Sequence, residues 1–173
     1  MNTTERPSPA EFAPYYAGYV SAVPDGDIVE LLEQQKAAVR ARAAAITPAQ
    51  ENYRYGPGKW TVREMFGHLT DAERVFGYRV LCISRGDTAS LPGFDENSYV
   101  EEAAFNSRPL RALVDELVLV RDGNLLMMKT FDAEAWGRMG VANKVPVSVR
   151  ALAFIMAGHI NHHLEVLRTR YGL

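Results

Sequence analysis

The chain has 173 residues, of which 47% are hydrophobic and 23% charged, and its 19 basic and 21 acidic residues leave a formal net charge of -2. A chain of this length can bury roughly 70% of the surface its unfolded form exposes, so one sizeable core needs no disulfide or metal staple, and the composition excludes a disordered or collagen-like chain. No run of Lys and Arg is long enough to neutralise a series of phosphates, and no period of roughly 20–50 residues recurs, so neither a nucleic-acid partner nor a solenoid is expected.

Residues 1–24 read as an N-terminal arm, dotted with proline from Pro7 to Pro24, and residues 25–173 as a single helical domain. The stretch from Met1 to Pro7 lacks the basic patch and apolar segment of a secretory signal. Together with a lone cysteine, Cys82, which cannot form an internal disulfide, this points to the cytoplasm. A first helix is predicted from Asp25 to Ile46: Asp25 or Asp27 can cap it, Ile28, Leu31, Leu32, Gln35 and Val39 recur at helical spacing, and Thr47-Pro48 ends it. The loop from Glu51 to Lys59 is broken by Gly56, Pro57 and Gly58. Thr61 and Glu64 then form a capping box for a second helix, whose stripe of Val62, Met65, Leu69, Ala72, Phe76, Val80 and Ile83 runs to about Ser84. Cys82 reads as a small buried hydrophobe on it.

The interval from Arg85 to Ser107 is long for a helix connection and has the character of a lid, with Leu91-Pro92-Gly93-Phe94-Asp95 followed by the acidic stretch Glu96 to Glu102. Ser107 and Pro109 open a third helix that runs to about Phe131 through Leu110, Leu113, Leu117, Val120, Leu125 and Met128. Residues 132–147 read as irregular. Ser148 caps a fourth helix ending near Tyr171-Gly172; its longest apolar stretch, Ala151 to Gly158, falls far short of the ~20 residues that span a bilayer, so no membrane partner is expected. Four amphipathic helices and little alternating pattern predict an all-α four-helix bundle, with long connections that leave room for crossovers.

Three of the four histidines, His159, His162 and His163, lie in the last helix. At about 100° per residue, His159 and His163 differ by roughly 40° and sit one turn apart, whereas His162 falls roughly 60° to the other side of His159. Arg150, Asn161, Glu165 and Arg168 mark the opposite, solvent face, so the pair points inward beside Leu152 and Met156 and His162 lies on the flank. Two inward imidazoles need a polar partner, and His68, at the edge of the second helix's stripe, is the candidate. Three imidazoles at one point could hold Zn²⁺ or a similar divalent metal with a position left open for water or substrate; an H-x-x-x-H spacing also occurs by chance in many helices, as hydrogen-bonded core or partly exposed surface histidines. His159 is followed by Ile160 rather than the Glu of a zincin, and no Glu precedes a His by three residues as a ferritin-type di-iron site requires. No G-x-G-x-x-G, G-x-x-x-x-G-K-[ST] or G-x-S-x-G is present, so a dinucleotide, a P-loop and an α/β-hydrolase are not indicated.

The run from Lys59 to Arg74, with its Trp-Thr-x-x-Glu-x-x-x-His-Leu core, the loop Leu91 to Asp95 and the late segment Gly158 to His163 resemble the DinB/YfiT-like superfamily of metalloenzymes. The resemblance implies a DinB-like four-helix bundle with a long crossover, usually dimeric, and a metal triad of His68, His159 and His163. It implies zinc or nickel, with manganese or iron as alternatives, and a small-molecule substrate. Some relatives transfer a low-molecular-weight thiol such as bacillithiol or mycothiol, so a thiol-dependent S-transferase acting on small electrophiles is the leading expectation. A metal-dependent small-molecule hydrolase comes next, and a non-catalytic stress-response or regulatory metal-binding bundle third. Arg79, three turns beyond His68 on the same side, could face an anionic substrate or simply be solvated or salt-bridged; Asp71 and Glu73 could orient an imidazole, and Asp95 and Glu96 are the acids of the lid-like loop.

Overall fold

The computed structural model of the chain describes residues 5–173; Met1 to Thr4, at the head of the expected arm, lie outside the described residues. Two 3₁₀ turns, Pro9–Glu11 and Pro14–Tyr16, lead into α1 (Ala17–Ser21), followed by α2 (Ile28–Ala44), α3 (Val62–Ser84), β1 (Ser90–Leu91), α4 (Glu96–Glu102) and α5 (Leu110–Met128). A short α6 (Ala133–Gly137), the strands β2 (Met139–Ala142) and β3 (Val145–Ser148), and α7 (Val149–Val166) complete the chain, with a π-helical turn at Leu167–Tyr171. The long helices are therefore the four predicted ones. Three of their caps are those read from the sequence: Asp27 accepts from the Val29 N–H at 2.8 Å, Thr61 and Glu64 exchange both bonds of the capping box, and Ser148 Oγ accepts from Ala151 at 3.0 Å, whereas α5 opens at Pro109 without a side-chain cap and Ser107 lies in the 3₁₀ turn before it.

α2 packs against α5 and α7, and α3 packs against the same two helices, which sets α2 diagonally across the bundle from α3 and α5 across from α7. Residues 45–61 and 129–148 therefore carry the chain across a diagonal, which is why these connections are long. Two apolar clusters fill the bundle. One gathers Ala72, Phe76, Val80, Leu152, Phe154 and Met156, the other Val62, Met65, Phe66, Leu69, Leu113 and Ile160. Each large side chain removed from water contributes about 1.5–3 kcal/mol.

The connections hold more structure than the sequence predicts. α4 and a 3₁₀ turn at Phe105–Ser107 occupy the lid-like interval, with Asp95 capping α4 through the Asn97 and Ser98 amides. β2 and β3 form an antiparallel hairpin whose turn residues Asn143 and Lys144 both have positive φ, 51° and 66°, and β1 adds to β2 in parallel, Ser90 beside Val141 and Leu91 beside Ala142.

The proline-dotted segment also folds onto the bundle. Phe12, Val20 and Val23 are buried in the core, and Glu11 reaches both Ser148, at 2.8 Å, and the Arg150 guanidinium, at 2.6 and 2.8 Å. Asn161 donates to the Ala22 carbonyl at 3.0 Å. Arg150 and Asn161, read from spacing as solvent-facing, are thus the anchors of this segment. α1 can lie flush on α7 because Gly158 has no side chain: a Cβ there would fall 2.0 Å from the Tyr19 carbonyl oxygen. Gly158→Ala is expected to push α1 outward and cost roughly 1–3 kcal/mol, visible as a lower urea midpoint at unchanged helix content.

Candidate metal centre

His68 stands on α3 between Met65 and Leu69 of one apolar cluster and Ala72 of the other; His159 stands on α7 between Met156 and Ile160 in the same way. The imidazoles meet where the two clusters adjoin. Ligand nitrogens of His68, His159 and His163 all lie within 4.8 Å of one another, and the Nε2 atoms of His68 and His159 are 3.0 Å apart. The three rings are nearly equidistant, with centroids separated by 4.9, 5.1 and 4.6 Å. His162 is exposed and edge-on to His163 at 5.1 Å, outside the cluster, as the helical arithmetic predicts.

Burial pushes the His68 imidazole down to about 4 and His163 down to about 3, the latter reinforced by the charges of His68 and His162. Burial also takes His159 well below its ordinary value, with the neighbouring histidines adding to it. At neutral pH all three are uncharged and keep the lone pairs a metal needs. A hydrogen bond can join only two of them, and the buried Nδ1 of His163 has no hydrogen-bond partner among the described residues. A divalent ion at about 2.0–2.1 Å from each nitrogen would hold the three roughly 3.3 Å apart in tetrahedral geometry. The observed spacing brackets that value, so the residues present fit such an ion.

Above the imidazoles opens a cavity of about 310 Å³. Trp60 lies tilted over His68 with centroids 4.7 Å apart, and Tyr19 and Phe76 meet His159 edge-on at 5.7 and 5.9 Å. Arg79, Phe94 and Glu96 line the same space. The acids beside His68 serve other partners. Asp71 faces Arg74 at 3.6 Å, and buried Glu73 accepts from Arg121 Nε and Nη2 at 2.7 and 2.8 Å and from Asn124 at 2.9 Å. Cys82 is half-buried against the core. Tyr16 and Tyr19 were not singled out by the sequence and Trp60 only as part of the Lys59 to Arg74 run, although the spacing of Tyr15, Tyr16 and Tyr19 already put an aromatic patch on one turn of the proline-dotted segment.

Two pH effects follow with different windows. Each triad histidine is neutral when folded and protonates near pH 6.5 when unfolded, so the unfolded chain binds more protons below that pH. The metal-free protein should lose stability as pH falls from about 6.5 toward 4. For Glu11, burial raises the carboxyl, but the hydrogen bonds from Arg150, Ser8 and Ser148 outweigh it and hold the group at about 2. Its contribution is complete above about 4.5 and is lost between there and 2. Denaturant unfolding of the metal-free protein across pH should resolve two slopes, one between about 6.5 and 4 from the histidines and one below about 4.5 from Glu11.

A sequence model of the DinB superfamily matches residues 31–167, so the chain belongs to the DinB superfamily. No curated protein matches the sequence. Among solved structures, YfiT from Bacillus subtilis, described as a probable metal-dependent hydrolase with an unusual four-helix bundle topology, superposes with a TM-score of 0.76 at 17% identity, covering 97% of this chain and 94% of that one. The mycothiol-dependent maleylpyruvate isomerase superposes with a TM-score of 0.66 at 10% identity, over 80% of this chain and 58% of the isomerase. These likenesses show the four-helix bundle fold. No helix among the described residues is long and apolar enough to cross a membrane.

Proposed function

We propose that the chain is a divalent-metal-dependent enzyme, with His68, His159 and His163 holding zinc or nickel, that joins a low-molecular-weight thiol to a small electrophile. The observation that carries this reading is the convergence of three neutral imidazoles, two buried and one half-buried, without a carboxylate among them, at the base of an aromatic-walled cavity. Three neutral ligands would leave a bound dication its full charge, and that charge would lower the pKa of a thiol or of water beside it. The thiol gives up its proton to solvent, its sulfur lone pair forms the S–C bond, and the leaving group departs with the electron pair of the bond it breaks.

The chain's own residues support the thiol over the water. Hydrolysis gains most from a positioned general base, yet Asp71 is turned to Arg74, Glu73 is held by Arg121 and Asn124, and Glu96, which lines the cavity, is exposed to solvent. A thiol, with a pKa near 8.5, needs no such base once ionised at the site. Half-buried Cys82 packs against the core and is not among the cavity's lining residues, so the sulfur is one the substrate brings. Trp60, Tyr19 and Phe76 keep bulk water from the imidazoles.

The likeness to YfiT favours a second reading, metal-dependent hydrolysis of a small molecule. Metal content of purified protein, followed by X-ray absorption of a cobalt-substituted sample with saturating bacillithiol, mycothiol or cysteine, separates the two. A new sulfur ligand together with conjugation of monochlorobimane is the expected result. Metal without any sulfur ligand favours hydrolysis, metal without turnover of either kind favours a regulatory bundle, and no metal above background overturns the enzyme reading.

A further inference from the structure

Arg79 is a buried cation without a counter-charge. Among the described residues it is one of two deeply buried arginines, each 3% exposed as a whole residue, but Arg121 is bound in a fork by the Glu73 carboxylate. Arg79 donates from Nη2 to the Pro92 carbonyl at 2.8 Å and meets the Tyr16 hydroxyl, while its Nε is buried with no partner at all. No carboxylate figures among its partners. A guanidinium stays charged whatever its surroundings, so a site that buries one with a carbonyl, a phenol and an open donor is incomplete. Pinning the Leu91 to Asp95 loop through a single carbonyl does not by itself call for a planar cation with five donors.

The position of Arg79 relates it to the imidazoles. It lines the same cavity, one ring beyond them: its Cζ lies 5.7 Å from the Phe76 ring centroid, and that ring is 5.9 Å from His159. The walls between are flat and aromatic. Tyr19 lies between Tyr16, tilted at 6.2 Å, and His159, edge-on at 5.7 Å, and Phe94 lines the loop side. Exposed Glu96 also borders the cavity and its field reaches Tyr16, adding a negative charge that disfavours polyanions such as phosphate.

We propose that Arg79, together with the Tyr16 hydroxyl, is the receptor for the single carboxylate of a small, flat organic acid whose other end lies at the histidine triad. This names a substrate class for the function proposed above and rests on that reading only for what happens at the far end of the ligand. A carboxylate accepts two N–H bonds from a guanidinium fork, supplies the missing counter-charge and leaves an unsaturated or aromatic body against the ring walls.

Benzoate and its neutral, isosteric amide, benzamide, test the assignment when titrated into metal-free and zinc-loaded protein by calorimetry. Wild-type protein is expected to prefer benzoate by about tenfold in both forms, the ratio a charge-assisted pair of hydrogen bonds readily supplies. Arg79→Gln should remove the preference while zinc stoichiometry is retained, and Arg79→Lys should restore part of it, which a purely loop-pinning role would not do. Equal affinity of wild-type protein for the two compounds, or a preference that survives in Arg79→Gln, overturns the proposal. If Arg79→Gln does not fold, Tyr16→Phe carries the test: a benzoate preference reduced severalfold supports the receptor, and an unchanged one overturns it. An Arg79-dependent preference in protein that binds no zinc would leave this receptor standing and remove the metal reading; stoichiometric zinc without the preference would do the reverse.

Discussion

Replacing His159 or His163 by Ala is expected to abolish stoichiometric Zn²⁺ binding, and His68→Ala should do the same, whereas His162→Ala should leave the affinity within a few-fold of the parent. Each of the first three removes one of only three nitrogens within 4.8 Å of each other, and no Asp, Glu or Cys among the described residues belongs to that cluster to take its place. The loss should exceed the roughly 10–100-fold that removing an outer partner of a ligand costs. His162 is exposed, and its ring packs beside Tyr19 at 5.4 Å and His163 at 5.1 Å, so its removal alters the rim alone. Folding supplies the control. In metal-free protein the three imidazoles, two buried and His163 half-buried, are neutral groups that resist protonation, and deleting one relieves part of that cost. The metal-free Ala variants should therefore unfold at or near the parent temperature at pH 6, while the stabilisation that Zn²⁺ confers on the parent disappears. Calorimetric titration and thermal unfolding with and without Zn²⁺ read both halves. Retention of one tightly bound Zn²⁺ in His159→Ala, or its loss in His162→Ala, would sink the assignment.

The placement of these histidines was legible because it depends on one helix at a time. The H-x-x-x-H spacing and the polar face of α7 orient His159 and His163 inward and leave His162 outside, and the stripe of α3 brings His68 to the same core. Caps are similarly local, so Asp27, Thr61, Glu64 and Ser148 mark helix starts correctly. What escaped depends on segments far apart in sequence. Arg150 and Asn161 look like solvent residues until Glu11 and the Ala22 carbonyl are laid on them. The β2–β3 hairpin carries no Asn-Gly or Gly-Gly signal at its turn; Lys144 takes a positive φ that packing, rather than its own preference, imposes. Arg79 shows the limit most directly. Helical spacing aligned it with His68, but only the fold shows that it is buried with no carboxylate bonded to it. Glu73, a candidate to orient an imidazole, turned out to be the counter-charge of Arg121.

That pair carries the second large effect. Glu73→Ala is expected to destabilise the protein by about 3–5 kcal/mol, because it strands a guanidinium that is 4% exposed in the core. Arg121 would retain only the Gln35 Oε1 at 3.0 Å and the Leu32 carbonyl at 3.3 Å, neither of which carries a charge. For a chain of this size the melting temperature should fall by on the order of 10 °C. Asn124, which donates to both the Glu73 carboxylate and its backbone carbonyl, loses a partner as well. The damage should also travel. Gln35, on the far side of Arg121, donates to the Ala157 carbonyl at 2.8 Å and to Asn161 at 2.7 Å, so it grips α7 on either side of His159. If that grip helps set the triad, Glu73→Ala should weaken Zn²⁺ binding as well as stability although it touches no imidazole. The double variant Glu73→Leu/Arg121→Met separates charge from packing: with both ions gone the core regains an apolar fill, and most of the lost stability should return. Recovery of stability without recovery of Zn²⁺ affinity would show that the polar chain through Gln35 positions α7. A double variant no more stable than Glu73→Ala would mean that the pair contributes through its hydrogen bonds and shape rather than by cancelling buried charge.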